Sequence, residues 1–304
     1  MLLFYEYMKK KIDLFIGIDP SINSTGITIL EYESCMVESY VQHRAETFYV
    51  IKDKLTKKES TIIENYKKLH SDFNAVVYDK HVQTSNNSSS GNEVLKTINL
   101  INIVEEIKKI LKLYIKKIKF NDSFDGVRCF VTIEANAYSA GGRTVSLIEL
   151  AGLNYLIRNA VIELSQKNDF IIYKKQKINV SFNLIVEPPT VIKKFATTRG
   201  DADKDLMLLC FKLKNEGVSN GLEGFKLDDV ADSYFMAYYG LVQEYKISLL
   251  ELYDLEQSER LSDELVSFQA EKKEVKKSSK QKKQEKQTMI NNLNESDLDF
   301  INKI

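Results

Sequence analysis

Leu14-Phe15-Ile16-Gly17-Ile18-Asp19-Pro20-Ser21-Ile22-Asn23-Ser24-Thr25-Gly26-Ile27-Thr28-Ile29-Leu30 is the stretch on which the reading of this chain turns. An apolar run ends at Asp19, a Pro20-Ser21 turn follows, and a second apolar run begins after Thr25-Gly26. The pattern predicts a hairpin whose first strand is buried and carries Asp19 at its last paired position. A carboxylate at the mouth of an apolar strand is costly unless a cation or a set of donors compensates it. Read alone, Asp19 is better explained as a strand-ending residue that caps a turn. A metal or catalytic role needs further acids from elsewhere in the chain.

Two stretches offer them. Phe130-Val131-Thr132-Ile133-Glu134 is a second apolar strand ending in an acid, followed by the small-residue run Ala135-Asn136-Ala137. Asp228-Asp229-Val230-Ala231-Asp232-Ser233-Tyr234-Phe235-Met236-Ala237 reads as the start of a helix, with Asp229 and Asp232 on one face. Asp228 and Asp232 also share a helical face, so Asp228 is the alternative to Asp229. Acids at two strand ends with a helical Asp pair suit a two-cation site, because Mg²⁺ takes hard oxygen ligands.

Three segments in this order, "GIDPSINSTGITIL", "VTIEANAYSAGGRTVSLIELAGLNYL" and "DDVADSYFMAYYG", resemble the RuvC family of Holliday-junction endonucleases. The intervening "EPPTVIKKFATTRGDADKDLML" resembles the family's segment before its last acidic helix. Asp-Pro-Ser in the first motif is similar to the phage and viral branch. The resemblance spans roughly Leu14–Val50 and Val127–Gln243. It implies an RNase H-like α/β fold with a mixed central sheet flanked by helices. It also implies Mg²⁺-dependent cleavage of Holliday junctions or related branched DNA, in recombination, repair or replication. Asp19, Glu134, Asp229 and Asp232 would hold two Mg²⁺ ions (Mn²⁺ as a substitute) roughly 4 Å apart, Asp19 bridging them and Glu134 on the water-activating side. Lys204, after Gly200-Asp201-Ala202-Asp203, falls where the family carries a lysine near the scissile phosphate. Tyr138 lies one position later than the family's aromatic wedge, which stacks on an unpaired base at the crossover. Arg143, beside Gly141-Gly142, is a second candidate for the junction centre. Lys193, Lys194 and Arg199 could bind backbone phosphates, which set position without reading sequence.

Composition narrows the alternatives. The 304 residues carry 43 basic and 43 acidic side chains, so no net charge argues for a nucleic-acid partner. The distribution is segmented, with lysines clustered at 108–119, 174–177, 193–194 and 272–286. Basic patches bind phosphate even on a neutral chain. The three cysteines, Cys35, Cys129 and Cys210, are scattered among apolar residues, as buried thiols are in a reducing compartment. Three histidines, His43, His70 and His81, are too dispersed for an imidazole triad or zinc cluster. No uncharged apolar run reaches the length of a membrane span and no signal peptide precedes the first strand, which predicts a cytoplasmic protein without membrane contact, in the host cytoplasm or a viral replication compartment if the chain is viral.

The expected domain occupies 1–250, with a short N-terminal extension at Met1–Tyr7. A third strand is read at Ser34–Gln42, then an insertion at about 43–99 containing the Ser/Asn-rich loop 84–92. Apolar residues at helical spacing predict a helix over Glu93–Lys119 and another over Thr144–Ser165, the latter near the family's dimer interface. Strands are expected at Phe170–Tyr173 and Asn183–Val186, split by a basic turn at Lys174–Asn179. Short helices follow at Thr190–Phe195 and Asp205–Asn215. From 251 a helical segment leads to a Lys-rich stretch too polar to build a core, read as a disordered tail. Its acidic-apolar tip suits docking to a replication or single-strand-binding partner. Symmetric cutting of a junction needs two active sites, hence an expected homodimer. Two other classes stay open: a catalytically idle branched-DNA-binding module, and an actin-like ATPase or sugar kinase. The latter lacks here its second phosphate loop and adenosine-binding glycine pair.

Overall fold

The structure, a computed structural model, describes residues 10–22, 24–34, 40–51, 57–58, 61–62, 64–65, 77–81, 93–120, 124–136, 144–166, 170–173, 176–214 and 228–245. The N-terminal extension, the 84–92 loop, Cys35, Tyr138, Arg143 and all of 251–304 lie outside the described residues. The chain divides into two units, Met1–Ser248 and Leu249–Ile304, and every described residue belongs to the first.

Seven described strands form one sheet: β1 (Lys10–Asp19), β2 (Ser24–Ser34), β3 (Tyr40–Ile51), β4 (Val77–His81), β5 (Phe124–Glu134), β6 (Phe170–Tyr173) and β7 (Gln176–Glu187). Their order is β4-β3-β2-β1-β5-β7-β6. β1, β2 and β3 run antiparallel to one another in turn, whereas β1, β5 and β7 are parallel neighbours. β4 adds in parallel to β3, and β6 closes a hairpin on β7. Five described helices complete the unit: α1 (Glu93–Lys117), α2 (Thr144–Gln166), α3 (Pro189–Thr197), α4 (Lys204–Lys214) and α5 (Asp228–Tyr245). This mixed α/β arrangement is compatible with the RNase H-like expectation. None of the described helices is long and apolar enough to cross a membrane.

Strand alternation sorts the side chains into two layers. Ile12, Leu14, Ile16 and Ile18 of β1 share one face with Ile27 and Ile29 of β2, and with Val127, Cys129, Val131 and Ile133 of β5. α1 and α2 cover this face with Ile107, Leu111, Leu153, Ile157 and Leu164. The opposite face carries Asp13, Phe15, Gly17 and Asp19, and α5 lies along it. Both Cys129 and Cys210 are buried free thiols, as expected.

α5 approaches the sheet so closely that side chains are excluded beneath it. A Cβ on Gly17 would sit 1.9 Å from the Ser233 carbonyl oxygen, and one on Gly26 2.5 Å from that of Asp229. In the seam, the Thr28 and Ser233 hydroxyls are 2.9 Å apart. At the far end of β1, buried Asp13 receives two hydrogen bonds of 2.7 Å from Arg128 and one from the Tyr245 hydroxyl. The helix thus lies against β1 and β2 over Gly17 and Gly26, and is tied to β1 at its far end through Tyr245 and Asp13.

Two elements differ from expectation. β3 starts at Tyr40 rather than Ser34 and continues to Ile51, so the sheet takes 43–51 and 77–81 out of the stretch read as an insertion. Polar Gln42-His43-Arg44 disguises the strand, and a register shift against Glu31/Tyr32 absorbs His43 as an extra residue. β7 likewise begins at Gln176, so most of the expected basic turn is strand. Lys177, Asn179, Ser181 and Asn183 are exposed while Ile178, Val180 and Phe182 between them are buried. That alternation belongs to a strand with one wet face.

Candidate active site

Asp19 is the last residue of β1 and pairs with Gly26, as the hairpin reading predicted. Glu134 ends β5, the parallel neighbour of β1, and points to the same face. Both carboxylates therefore emerge at the carboxyl ends of adjacent parallel strands, where open α/β sheets place their ligands. Asp229 and Asp232 sit in the opening turns of α5, which Gly17 and Gly26 admit directly over β1 and β2.

The electrostatics show that these acids share one field. Asp19 is held well above the ordinary carboxylate range, by burial first and then by the negative charges of Asp232, Glu134 and Asp229, with Lys204 opposing. Glu134 is pushed up to about 7 by burial and by Asp232, against the pull of Lys193. Asp232 is pushed up to about 6, chiefly by burial; Asp229 and Asp228 add to the shift, while Lys204 and Lys193 oppose it. Neighbouring carboxylates whose charges disfavour one another's ionisation create a demand for positive charge.

Asp228 and Asp229 have separate surroundings. The Lys204 ammonium donates to the Asp228 carboxylate at 2.9 Å, on a partly exposed edge. Asp229 is buried, and its charge is among those acting on Asp19. Glu187 ends β7 opposite Glu134 in register, but the Tyr239 hydroxyl donates to its carboxylate.

The basic residues divide in the same way. Lys193 on α3 and Lys204 at the start of α4 act on the acids. Lys194 is exposed on α3. Arg199 is engaged by Asp201 through two hydrogen bonds of 3.1 and 2.9 Å.

A cleft of about 270 Å³ opens beside Asp19 and Glu134, walled by Leu147, Leu150 and Ala151 of α2 and by Asn136 and Asn154. It is smaller than the roughly 300–1,000 Å³ of pockets that enclose a drug-sized ligand. Asn154 and Arg158, neither singled out in the sequence, both reach the end of β5 and donate to the Glu134 carbonyl oxygen, at 2.8 and 3.1 Å. A polar Asn beside Leu153 and Ile157, on the buried side of an apolar helix, was the available signal.

Among the described residues no three acidic, histidine or cysteine side chains converge as a ready-made cation cage. The fit to divalent cations is therefore one of donor chemistry and charge. Hard oxygen donors from β1, β5 and α5 sit in a common field that raises their affinity for protons and, by the same logic, for cations.

No protein-family model matches the chain, and no curated protein matches it. Among solved structures, Thermus thermophilus RuvC is similar at 12% identity, with 77% of this chain and 96% of that chain covered and a TM-score of 0.29. T. thermophilus RuvC in complex with a Holliday junction substrate is similar at 13% identity over the same shares, with a TM-score of 0.27. Superpositions this loose leave the chemical reading to rest on the site itself.

Proposed function

We propose that this protein is a divalent-metal-dependent endodeoxyribonuclease acting on Holliday junctions or related branched DNA. The observation that carries the reading is the meeting of Asp19, Glu134, Asp229 and Asp232, more than two hundred residues apart in sequence, in one electrostatic field beside two lysines. A phosphodiester carries negative charge, so four acids alone would repel it. Mg²⁺ held by these carboxylates would reverse that sign and would supply the activation of water and the charge neutralisation that phosphodiester cleavage needs.

The chain's own residues then have distinct tasks. Asp19, Asp229 and Asp232 supply carboxylate oxygens from rigid backbone. Glu134 would supply a further carboxylate oxygen from the end of β5, on the water-activating side. Lys193 and Lys204 offer positive charge at the rim for the phosphate backbone. The resemblance to the RuvC family supports branched DNA as the substrate and Lys204 as the lysine near the cut. The phage or viral branch rests on Asp19-Pro20-Ser21 alone, and roles for Tyr138, Arg143, Lys194 and Arg199 rest on their positions in the sequence.

A homodimer follows from the geometry of the substrate, since symmetric strands need two sites. An apolar stripe suits it. Ile148, Tyr155 and Ile162 recur every seven residues along α2 and are 68%, 55% and 43% exposed, and Val94, Ile98 and Ile101 on neighbouring α1 are also exposed.

The test is cleavage of a panel of four-way junctions, forks and flaps with Mg²⁺, with ATP turnover measured in parallel. Asp19→Asn and Asp232→Asn are expected to lower cutting by at least about 100-fold, beyond the 10–100-fold cost of losing an outer-shell partner, while junction binding persists. Cutting that survives both changes removes the assignment. Junction binding without cutting by the parent chain establishes the idle binding module instead.

A further inference from the structure

We infer that Asn154 and Arg158 are positioning residues for Glu134: from α2 they clamp the main-chain carbonyl of the acid and so orient its carboxylate for a divalent cation. The inference rests on the nuclease reading and concerns residues to which that reading gives no role.

The two side chains are four residues apart, hence on one face of α2. Their N–H groups converge on a single acceptor, the Glu134 oxygen. That carbonyl ends β5, and the N–H of the same peptide unit, on Ala135, donates to the Glu187 carbonyl at 2.7 Å. The peptide that follows Glu134 is thereby held at its oxygen from α2 and at its nitrogen from β7.

The clamp has a cost that folding alone does not explain. Asn154 is only 4% exposed, and its Oδ1 has no hydrogen-bonding partner; the Nε of Arg158 is also buried without one. A buried polar group left unmet destabilises the fold. An apolar residue at 154 would leave no such orphan beside Leu153 and Ile157. Keeping Asn154 makes physical sense if its Nδ2 is needed on Glu134. Arg158 is braced from the other side, with its guanidinium 5.3 Å from the centre of the Tyr155 ring. Residues behind a metal ligand that fix its orientation typically change metal affinity by 10–100-fold when removed.

The experiment is calorimetric titration of the full chain with Mn²⁺, without DNA, alongside thermal melts. Asn154→Leu and Arg158→Leu are expected to weaken Mn²⁺ binding about 10-fold each. Asn154→Leu should leave the melting temperature unchanged or higher, because it also removes the orphaned acceptor. Arg158→Lys, which keeps a donor, should recover part of the affinity. Should Asn154→Leu fail to fold, Arg158→Leu, at a more exposed position, decides alone. A lowered melting temperature with parental Mn²⁺ affinity shows a purely structural clamp and overturns the inference. Asp232→Asn separates the two levels: if it too binds Mn²⁺ like the parent, the nuclease reading fails; if it loses binding while the clamp variants keep it, only the positioning role fails.

Discussion

At the scale of single residues, the informative property of Asp19, Glu134 and Asp232 is that each is driven toward its protonated form by its surroundings. A group whose folded-state pKa is raised adds stability in full below its unfolded value and loses it as pH rises through the folded value. For Asp232 and Glu134 that loss extends from their ordinary range near 4 up to about 6 and about 7. In the absence of divalent cations, the protein is therefore expected to melt at progressively lower temperature from pH 5 to pH 8. Each site contributes a slope of at most about 1.4 kcal/mol per pH unit. Millimolar Mg²⁺ should flatten that profile at its alkaline end, by binding the ionised forms. A melting temperature that rises from pH 5 to 8 without metal would show that the acids do not share a field.

At the scale of elements, the site depends on how near α5 can come to β1 and β2. Gly17 and Gly26 were legible as part of a hairpin motif, but nothing local showed that a helix from residue 228 onward would need the space above them. Gly17→Ala would force a methyl group against the Ser233 carbonyl and Ala237 nitrogen, lifting the helix that holds Asp229 and Asp232. Overpacking of this kind costs about 1–3 kcal/mol. We expect a lowered denaturation midpoint and loss of divalent-cation binding together. Gly126→Ala meets its nearest atom at 3.6 Å and should change neither. Equal midpoints for the two variants would contradict the close-packing account. Periodicity read α1 and α2 nearly to their ends, because a long apolar repeat is a strong signal. It read β3 and the start of β7 poorly, because polar residues on a wet strand face imitate a turn.

At the scale of the molecule, α2 faces two ways. Asn154 and Arg158 meet the candidate active site, while Ile148, Tyr155 and Ile162 form an exposed apolar stripe on the same helix. Ile148→Glu is expected to shift the junction-bound species from dimer to monomer in light scattering, and to convert paired cuts into single nicks. A parent chain that is already monomeric on junction DNA would remove the homodimer. A salt bridge of 2.8 Å from Lys96 to Glu149 joins α1 to α2 beside the stripe, so a charge at 148 enters a surface held in place from both helices.

The amino-acid sequence by itself determined the strand endings at Asp19 and Glu134, the helical Asp pair and the order of these motifs, because each is written in a short run of neighbouring residues. It did not determine which carboxylates would share a field, that Lys204 would take Asp228, or that α2 would clamp the Glu134 carbonyl. Those relations join residues as much as 213 positions apart, as Asp19 and Asp232 are, and depend on chain crossings, glycine-lined approaches and buried donors that exist only once the layers have packed.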